Sequence, residues 1–505
     1  MDVHFRRHHE AARMTGQEYA AIAAACDRRL RAAATSLARL AVPALHFLNE
    51  HPSSLAQYES VLSGHPVGGP SELPAAVIRA GRAVARSLLA RRPLLPGPVD
   101  VLIVSHLLRP EQLQQQDDFY FGALQRRLQD QGATALLVLI NHLRDTPRAR
   151  DALRYPHPRL VLPRVSSPGS EARQWRQCAH AWRALRQEAA AAGSDIEAGV
   201  ARLASRQVLS AGVAVNLRMH AALAELCRAV APKMVITTYE GTVAERLIWH
   251  AARTSEPRPL CVGYQHAMIL ERAHAIRRPV AAPGIDCDPE VILTLGAIPQ
   301  AALASSPELQ SLRFIEYGSH RRATLPALPA PHTRPRCCLV LPDASHQECV
   351  TLFDFAVRCA RLSPDVSFVL RPHPMIDAAS LRRRLPVLAG LPANVSLSLD
   401  RPLEQDLAQV RYCLYRGSSA ALHAVRAGIR PYYLARPGEL PFDCLHALGN
   451  WRERVTAPEQ LIERMQCADS PADFPAGTEA AALCERYVAP VRPEAVQELL
   501  ALLRS

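Results

Sequence analysis

Short apolar runs alternate with helical segments along this sequence, and the alternation stops once and restarts. Val99–Ser105, Ala135–Ile140, Met234–Thr237, Pro259–Tyr264 and Val291–Leu295 form the first set. Cys337–Leu341, Ser367–Leu370, Val395–Leu399, Tyr412–Tyr415 and Tyr432–Leu434 form the second. Strand-like runs separated by helical stretches are the mark of a parallel sheet wrapped by helices. Helices are expected over Phe119–Gln131, through much of Glu171–Arg228, and over Val243–Ala252, Gln347–Leu362, Ala378–Leu388, Ala420–Ala427, Pro458–Cys467 and Pro493–Arg504. The Pro-rich stretch Leu325–Pro335 reads as a linker. A chain of 505 residues also exceeds what one core supports. The expected fold class is α/β: two Rossmann-like domains facing a central cleft, with a helical extension before them. The divisions fall at 1–98 (extension), 99–320 (first domain), 321–335 (linker) and 336–505 (second domain).

The extension is rich in Ala and Arg. Tyr19–Leu40 carries apolar residues at helical spacing with Arg28, Arg29, Arg31 and Arg39 among them, and Pro43 stops it. Two readings stand: a helical appendage packed on the next domain, or a basic amphipathic surface that touches anionic membrane or a partner. The formal charge is +12, and Lys233 is the only lysine, so the basicity is that of arginine. An Arg, Ala, Leu and Pro excess fits a coding bias, and it equally fits a surface that attracts nucleotides, acidic glycans or anionic lipid. Nucleic-acid binding is set aside: aromatic residues make up 5% and no basic–aromatic interleaving occurs. The 13 cysteines include no C-x-x-C pair and are expected to be buried thiols of a reducing compartment. Met1–Glu10 is charged and lacks the apolar core of a signal peptide, and no apolar run approaches a membrane span. A cytoplasmic protein, peripheral to the inner membrane at most, is expected.

Three segments sit where strands give way to helices, and ligands in doubly wound sheets bind beyond the carboxyl ends of strands. Thr238-Tyr239-Glu240-Gly241 offers a carboxylate that can take a proton from a hydroxyl, or simply satisfy a helix N-terminus, with Glu245 as a competitor. Arg371-Pro372-His373-Pro374 fixes a histidine between two prolines, suited to a phosphate or a leaving group. Arg416-Gly417-Ser418-Ser419 joins a close-approach glycine to two hydroxyls at a helix start. The nucleotide-binding candidates are therefore Arg371, His373, Pro374, Gly417, Ser418 and Ser419, and the catalytic candidates Glu240 and His373. Gln265, His266 and Asp118 are expected to line the acceptor side. Gly318-Ser319 is a further turn able to approach a phosphate, and Pro342-Asp343 with Glu348 is either structural or part of the nucleotide pocket.

The order acidic-Gly, His-Pro, Ser-Ser resembles bacterial sialyltransferases and related GT-B transferases that use CMP-activated ulosonic acids such as Kdo. Asp118-Phe119-Tyr120-Phe121-Gly122, Glu240-Gly241 and Gln265-His266 also resemble proteins of bacterial surface polysaccharide assembly. The resemblance covers the order of motifs over about 99–450, and residues 1–98 lie outside it. It implies a GT-B fold, Glu240 as base, His373 on the CMP moiety, and Ser418 and Ser419 on its phosphate. Tyr239-Glu240 stands where sialyltransferases show two acidic residues, so a different ulosonic acid, or Glu240 as a nucleophile in a retaining reaction, fits equally. The implied partners are a nucleotide-sugar donor, a glycan or glycolipid acceptor, and peripheral membrane or polysaccharide-assembly contacts. No cofactor and no metal is expected, because a CMP-sugar carries one phosphate and no D-x-D motif stands beside a strand end. The alternatives are a CDP-polyol phosphotransferase, a UDP- or GDP-sugar transferase, and a non-catalytic scaffold of polysaccharide assembly.

Overall fold

A computed structural model describes residues 14–33, 35–46, 49–63, 72–89, 97–143, 159–280, 284–325, 328–330, 333–467 and 474–504. Among the described residues thirteen strands occur in chain order: β1 Val101–Leu107, β2 Ala135–Asn141, β3 Arg159–Val161, β4 Met234–Thr238, β5 Leu260–Tyr264, β6 Val291–Thr294, β7 Arg313–Glu316, β8 Cys337–Leu341, β9 Ser367–Leu370, β10 Val395–Leu397, β11 Tyr412–Tyr415, β12 Arg430–Leu434 and β13 Glu453–Val455. They form two parallel sheets, ordered β3-β2-β1-β4-β5-β6-β7 and β10-β9-β8-β11-β12-β13. In each the strand order reverses once, between β1 and β4 and between β8 and β11, and such a reversal opens a crevice at the carboxyl ends of the strands. This is the expected α/β class: two Rossmann-like domains, each built on one parallel sheet, preceded by helices.

The central strands are apolar throughout because both faces are covered: β1, β2, β4, β6, β8 and β11 are almost wholly buried. The strands not expected from sequence, β3, β7 and β13, are short and lie at or next to sheet edges. Their sequences, Arg-Leu-Val, Arg-Phe-Ile-Glu and Glu-Arg-Val, carry the charges that edge strands tolerate. The helices Ala297–Ala304 and Phe474–Tyr487 are likewise additional. The expected helix Phe119–Gln131 begins only at Leu124, since residues 118–122 close a tight turn through Asp118 N–H to Gly122 O (3.0 Å) and the reverse bond (2.9 Å). Glu171–Arg228 is three helices, Pro168–Ala190, Asp195–Gln207 and Ala211–Val230. Ser194 and Ser210 restart the backbone by accepting from the N–H groups of Glu197 and Val213. Ala378–Leu388 splits at Pro386, which cannot continue a helix.

Tyr19–Leu40 is two helices, Gly16–Arg31 and Leu37–Leu40, and its apolar face is inward. Tyr19, Ile22, Cys26 and Leu30 join the core on one face of the first sheet. Its arginines are committed as well: Arg28 to Glu197 at 2.6 Å, Arg29 and Arg39 to Glu188 at 3.4 and 2.5 Å. The packed appendage is therefore the correct reading of this segment, and the membrane-surface reading of it is corrected. Residues 1–13 and part of the expected linker, 326–327 and 331–332, lie outside the described residues.

The extension also ties down the connection between β5 and β6. Asp27 holds His274 (3.0 Å) and Arg278 (2.8 Å), and the carboxylate of Glu50 accepts from the Arg272 N–H. Burial pushes the Glu50 carboxyl up to about 7, against that hydrogen bond. A carboxyl raised in the folded state stabilises the fold below its unfolded value, near 4.5, and that contribution is lost as pH climbs to about 7. Melting temperature is expected to fall over this window, and Glu50→Gln to flatten the fall. Parallel pH curves for wild type and variant would refute this.

The chain ends by returning to the first domain. Ala489 N–H reaches Leu295 O (2.8 Å), Arg492 N–H reaches Tyr317 O (2.9 Å), and Ala495, Val496 and Leu499 enter the core on the second face of the first sheet. A Cβ on Gly318 would stand 2.1 Å from Pro490 O, so this glycine admits the returning chain and is not a phosphate contact. All 13 cysteines are free, and all but Cys467 are buried. No described helix is long and apolar enough to cross a membrane.

Candidate functional site

Glu240 follows β4 in a turn that only glycine at 241 permits. Gly241 has φ +81°, and a Cβ there would lie 2.4 Å from the Ala275 carbonyl. Glu245 decides the shape of this turn. It is buried, and its carboxylate accepts from Thr238 Oγ1 (2.8 Å), Glu240 N–H (2.9 and 3.0 Å) and Thr242 N–H (2.9 Å). Thr242 returns the bond as N-cap of the helix Val243–Ala252. The competition between the two glutamates is thereby resolved: Glu245 is architectural, and the Glu240 side chain is left 31% exposed beyond the strand end.

There Glu240 Oε1 meets His266 Nε2 at 2.9 Å. Burial raises the Glu240 carboxyl, but His266, His106 and Arg321 outweigh it and hold the group below its ordinary value. The neighbouring Glu245 is pushed the other way, to about 7, by burial and by the Glu240 charge. The two adjacent carboxyls are thus driven apart, Glu240 held down and Glu245 pushed up.

Gln265, expected to line the cleft, is fully buried. Its Oε1 accepts from Leu295 N–H (3.1 Å) and its amide donates to Ala267 O, so it joins the ends of β5 and β6 and presents His266. Asp118 is also turned inward. Its Oδ1 accepts from Ser105 Oγ (3.0 Å) and the N–H groups of Tyr120 (2.8 Å) and Phe121 (2.9 Å). The acceptor-side expectation is corrected for both residues, because buried polar groups with this many partners are spent on the fold. What the Asp118 turn does present is Tyr120, whose ring packs edge-on against His266 with centroids 4.7 Å apart. His106, at the end of β1, joins them. Burial and His142, whose Nε2 is 2.9 Å from His106 Nδ1, push it down to about 4, so it is neutral.

On the second domain, His373 follows β9. Its Nδ1 accepts from Met375 N–H (3.2 Å), which leaves the proton on Nε2. Burial, then the charges of Arg321 and Arg109, keep it below the ordinary histidine value and so neutral at pH 7. Arg371 does not extend into the cleft with it: its Nη1 is held by Asp406 (2.6 Å) and Arg401 O (2.7 Å). That corrects its expected nucleotide role. Pro374 offers its carbonyl to Arg109 of the first domain, and Arg109 also lies 3.4 Å from Met375 Sδ. This contact brings the β1 and β9 ends together across the cleft.

Gly417 sits at φ +63°, and the Phe442 ring occupies the space a Cβ would need, 2.6 Å away. Arg416 is wholly buried, paired with Glu348 (2.9 Å) and Glu439, its guanidinium 4.8 Å from the Phe442 centroid. Glu348 is therefore structural. Ser418 is buried and Ser419 exposed at the start of the helix Ala420–Arg426, and neither hydroxyl bonds a described residue. The extension reaches this corner too: His51 Nε2 meets Asp343, and its ring stacks edge-on to Phe442 at 4.9 Å.

Arg321 was missed in the sequence. It is exposed, lies 4.7 Å from the Phe119 centroid, and its charge is felt by Glu240, His373 and His423, which belong to both walls. Its only sequence signal is its place after the Gly318-Ser319 turn. Asp286-Cys287-Asp288 is a D-x-D, but its carboxylates pair with Arg246, Arg253 and Arg258. Among the described residues no group of three or more metal-binding side chains converges. A groove of about 1190 Å³ on the first domain, lined by Leu88, Leu217 and His220 among others, contains none of these site residues.

No protein-family model and no curated protein matches the chain. Solved structures similar to it include the glycotransferase of kitacinnamycin, 15% identical, covering 81% of this chain and 99% of that one with a TM-score of 0.45. The glycosyltransferase SnogD of Streptomyces nogalater is 17% identical, with coverage of 80% and 99% and a TM-score of 0.42. UDP-GlcNAc 2-epimerase of Neisseria meningitidis is 13% identical, with coverage of 80% and 100% and a TM-score of 0.44. These likenesses are too distant to bear on the chemistry, and the proteins themselves are named for two different reactions.

Proposed function

We propose that this chain is a glycosyltransferase that moves a sugar from a nucleotide donor to a hydroxyl acceptor. The observation that carries the reading is the Glu240–His266 pair at the ends of β4 and β5, together with Arg321, whose charge acts both on Glu240 and on His373 beyond β9. An imidazole held by a carboxylate is suited to take a proton. His266 receives the acceptor hydroxyl proton, the acceptor oxygen bonds to the anomeric carbon, and the bond from that carbon to the donor phosphate breaks. Glu240, held ionised, orients His266 and balances its new charge, a division of labour that replaces Glu240 as the base. The departing phosphate carries negative charge. Nε2–H of His373, the hydroxyls of Ser418 and Ser419 and the backbone beside Gly417 are the groups suited to receive it.

The donor class we favour is a CMP-linked acidic sugar, and the acceptor a glycan or glycolipid of a bacterial surface polysaccharide. Support comes from the motif order and from two arginines at the cleft, Arg109 and Arg321, neither in an ion pair with a described carboxylate. The reading needs no metal. CMP is expected to raise the melting temperature of the purified protein more than UDP or GDP does. A shift with UDP or GDP and none with CMP would move the donor assignment. No shift with any nucleotide would favour a non-catalytic scaffold.

A further inference from the structure

The helix Glu72–Leu89 turns an apolar stripe outward. Pro74, Val77, Ile78, Gly81, Ala85 and Leu88 lie on one face, and all are exposed. Val77, Ile78 and Leu88 are 52, 54 and 71% exposed, and they are three of the seven large apolar side chains that stand exposed among the described residues. The inward face is the small one: Ala76, Ala83 and Ser87 pack toward the helix Pro168–Ala190. An ordinary surface helix has the opposite arrangement. The apolar stripe is flanked by Arg82 and Arg86, and the neighbouring helix adds exposed Arg173, Arg176 and Arg183. None of these five makes an ion pair with a described residue, whereas the arginines of Gly16–Arg31 are paired. After Glu72 the helix contains no acidic residue.

We infer that this helix lies in the surface of an anionic lipid bilayer, with Val77, Ile78 and Leu88 among the acyl chains and the arginines at the headgroups. The charge decides the occupant. Unpaired arginines beside an apolar stripe are complementary to an anionic bilayer, whereas a second copy of the same face would oppose arginine to arginine. The inference is independent of the cleft chemistry, and either can fail without the other.

The test is flotation of the full chain with vesicles of phosphatidylcholine alone or with about one third phosphatidylglycerol. Binding is expected to the anionic vesicles only, and to weaken with salt. The combined variant Val77→Ser, Ile78→Ser, Leu88→Ser is expected to bind at least tenfold more weakly at unchanged melting temperature. Arg82→Gln with Arg86→Gln costs about fivefold for each arginine removed. Wild type that fails to float, or both variants floating like wild type, would overturn the inference. Loss of a dimer in the serine variant with vesicle binding intact would assign the face to a contact between copies instead.

Discussion

His266→Ala is expected to lower turnover by on the order of 10³-fold with little change in nucleotide affinity. General-base assistance contributes about 10²–10⁴-fold, and the imidazole is remote from the nucleotide wall by this reading. Glu240→Gln should cost less, because the amide still accepts a hydrogen bond from His266 and loses only the charge that balances the imidazolium. It should also move the pH dependence of kcat, which a purely structural glutamate would not do. Near-normal turnover in His266→Ala, with product formation confirmed, would remove the pair from the chemistry. Glu240 would then return as the base in its own right if its variant alone were inactive.

Arg416→Met is expected to destabilise the protein by about 3–5 kcal/mol, the usual loss when one partner is taken from a buried ionic cluster. Arg416 is 0% exposed and stands between Glu348 and Glu439, whose side chains are 3% and 5% exposed. Burial already pushes the Glu348 carboxyl up to about 7 with the arginine in place. Without it the Glu348 carboxyl would have to take up a proton to remain buried, while Glu439 keeps Arg436 at 2.9 Å, so the loss should be greatest above pH 7 and shrink toward pH 5. Denaturation midpoints at two pH values measure this. A midpoint unchanged at pH 8 would show that the cluster has relaxed to water. The Gly417 turn would be affected too, since Phe442 rests on the Arg416 guanidinium and fills the space beside that glycine.

The strands were legible because each central strand is covered on both faces and so reads as a continuous apolar run. Cys337–Leu341, Ser367–Leu370 and Tyr412–Tyr415 begin and end where the residues suggest. The edge strands β3, β7 and β13 were not legible, because a strand with one free side needs no such run, whereas the edge strand β10 was announced by the run starting at Val395. The site divides along a similar line. His373 and Glu240 were proposed from their positions after strands, and both lie beyond strand ends. Gln265 and Asp118 were placed on the acceptor side from the same signal, and both point inward. A strand end brings a residue to the cleft rim, but the local hydrogen bonds decide which way its side chain turns.

By itself, the sequence determined that this chain builds two parallel sheets and which segments stand at their carboxyl ends. Periodicity and turn residues are local properties, and they are written in consecutive positions. Only the tertiary structure paired Glu240 with His266, retired Glu245 to the turn, and placed Arg321 among groups from both domains. It also showed that the basic helix Gly16–Arg31 is packed and paired while Glu72–Leu89 faces outward. These outcomes depend on contacts between residues far apart in the chain, where burial and charge are set by neighbours that no local pattern specifies.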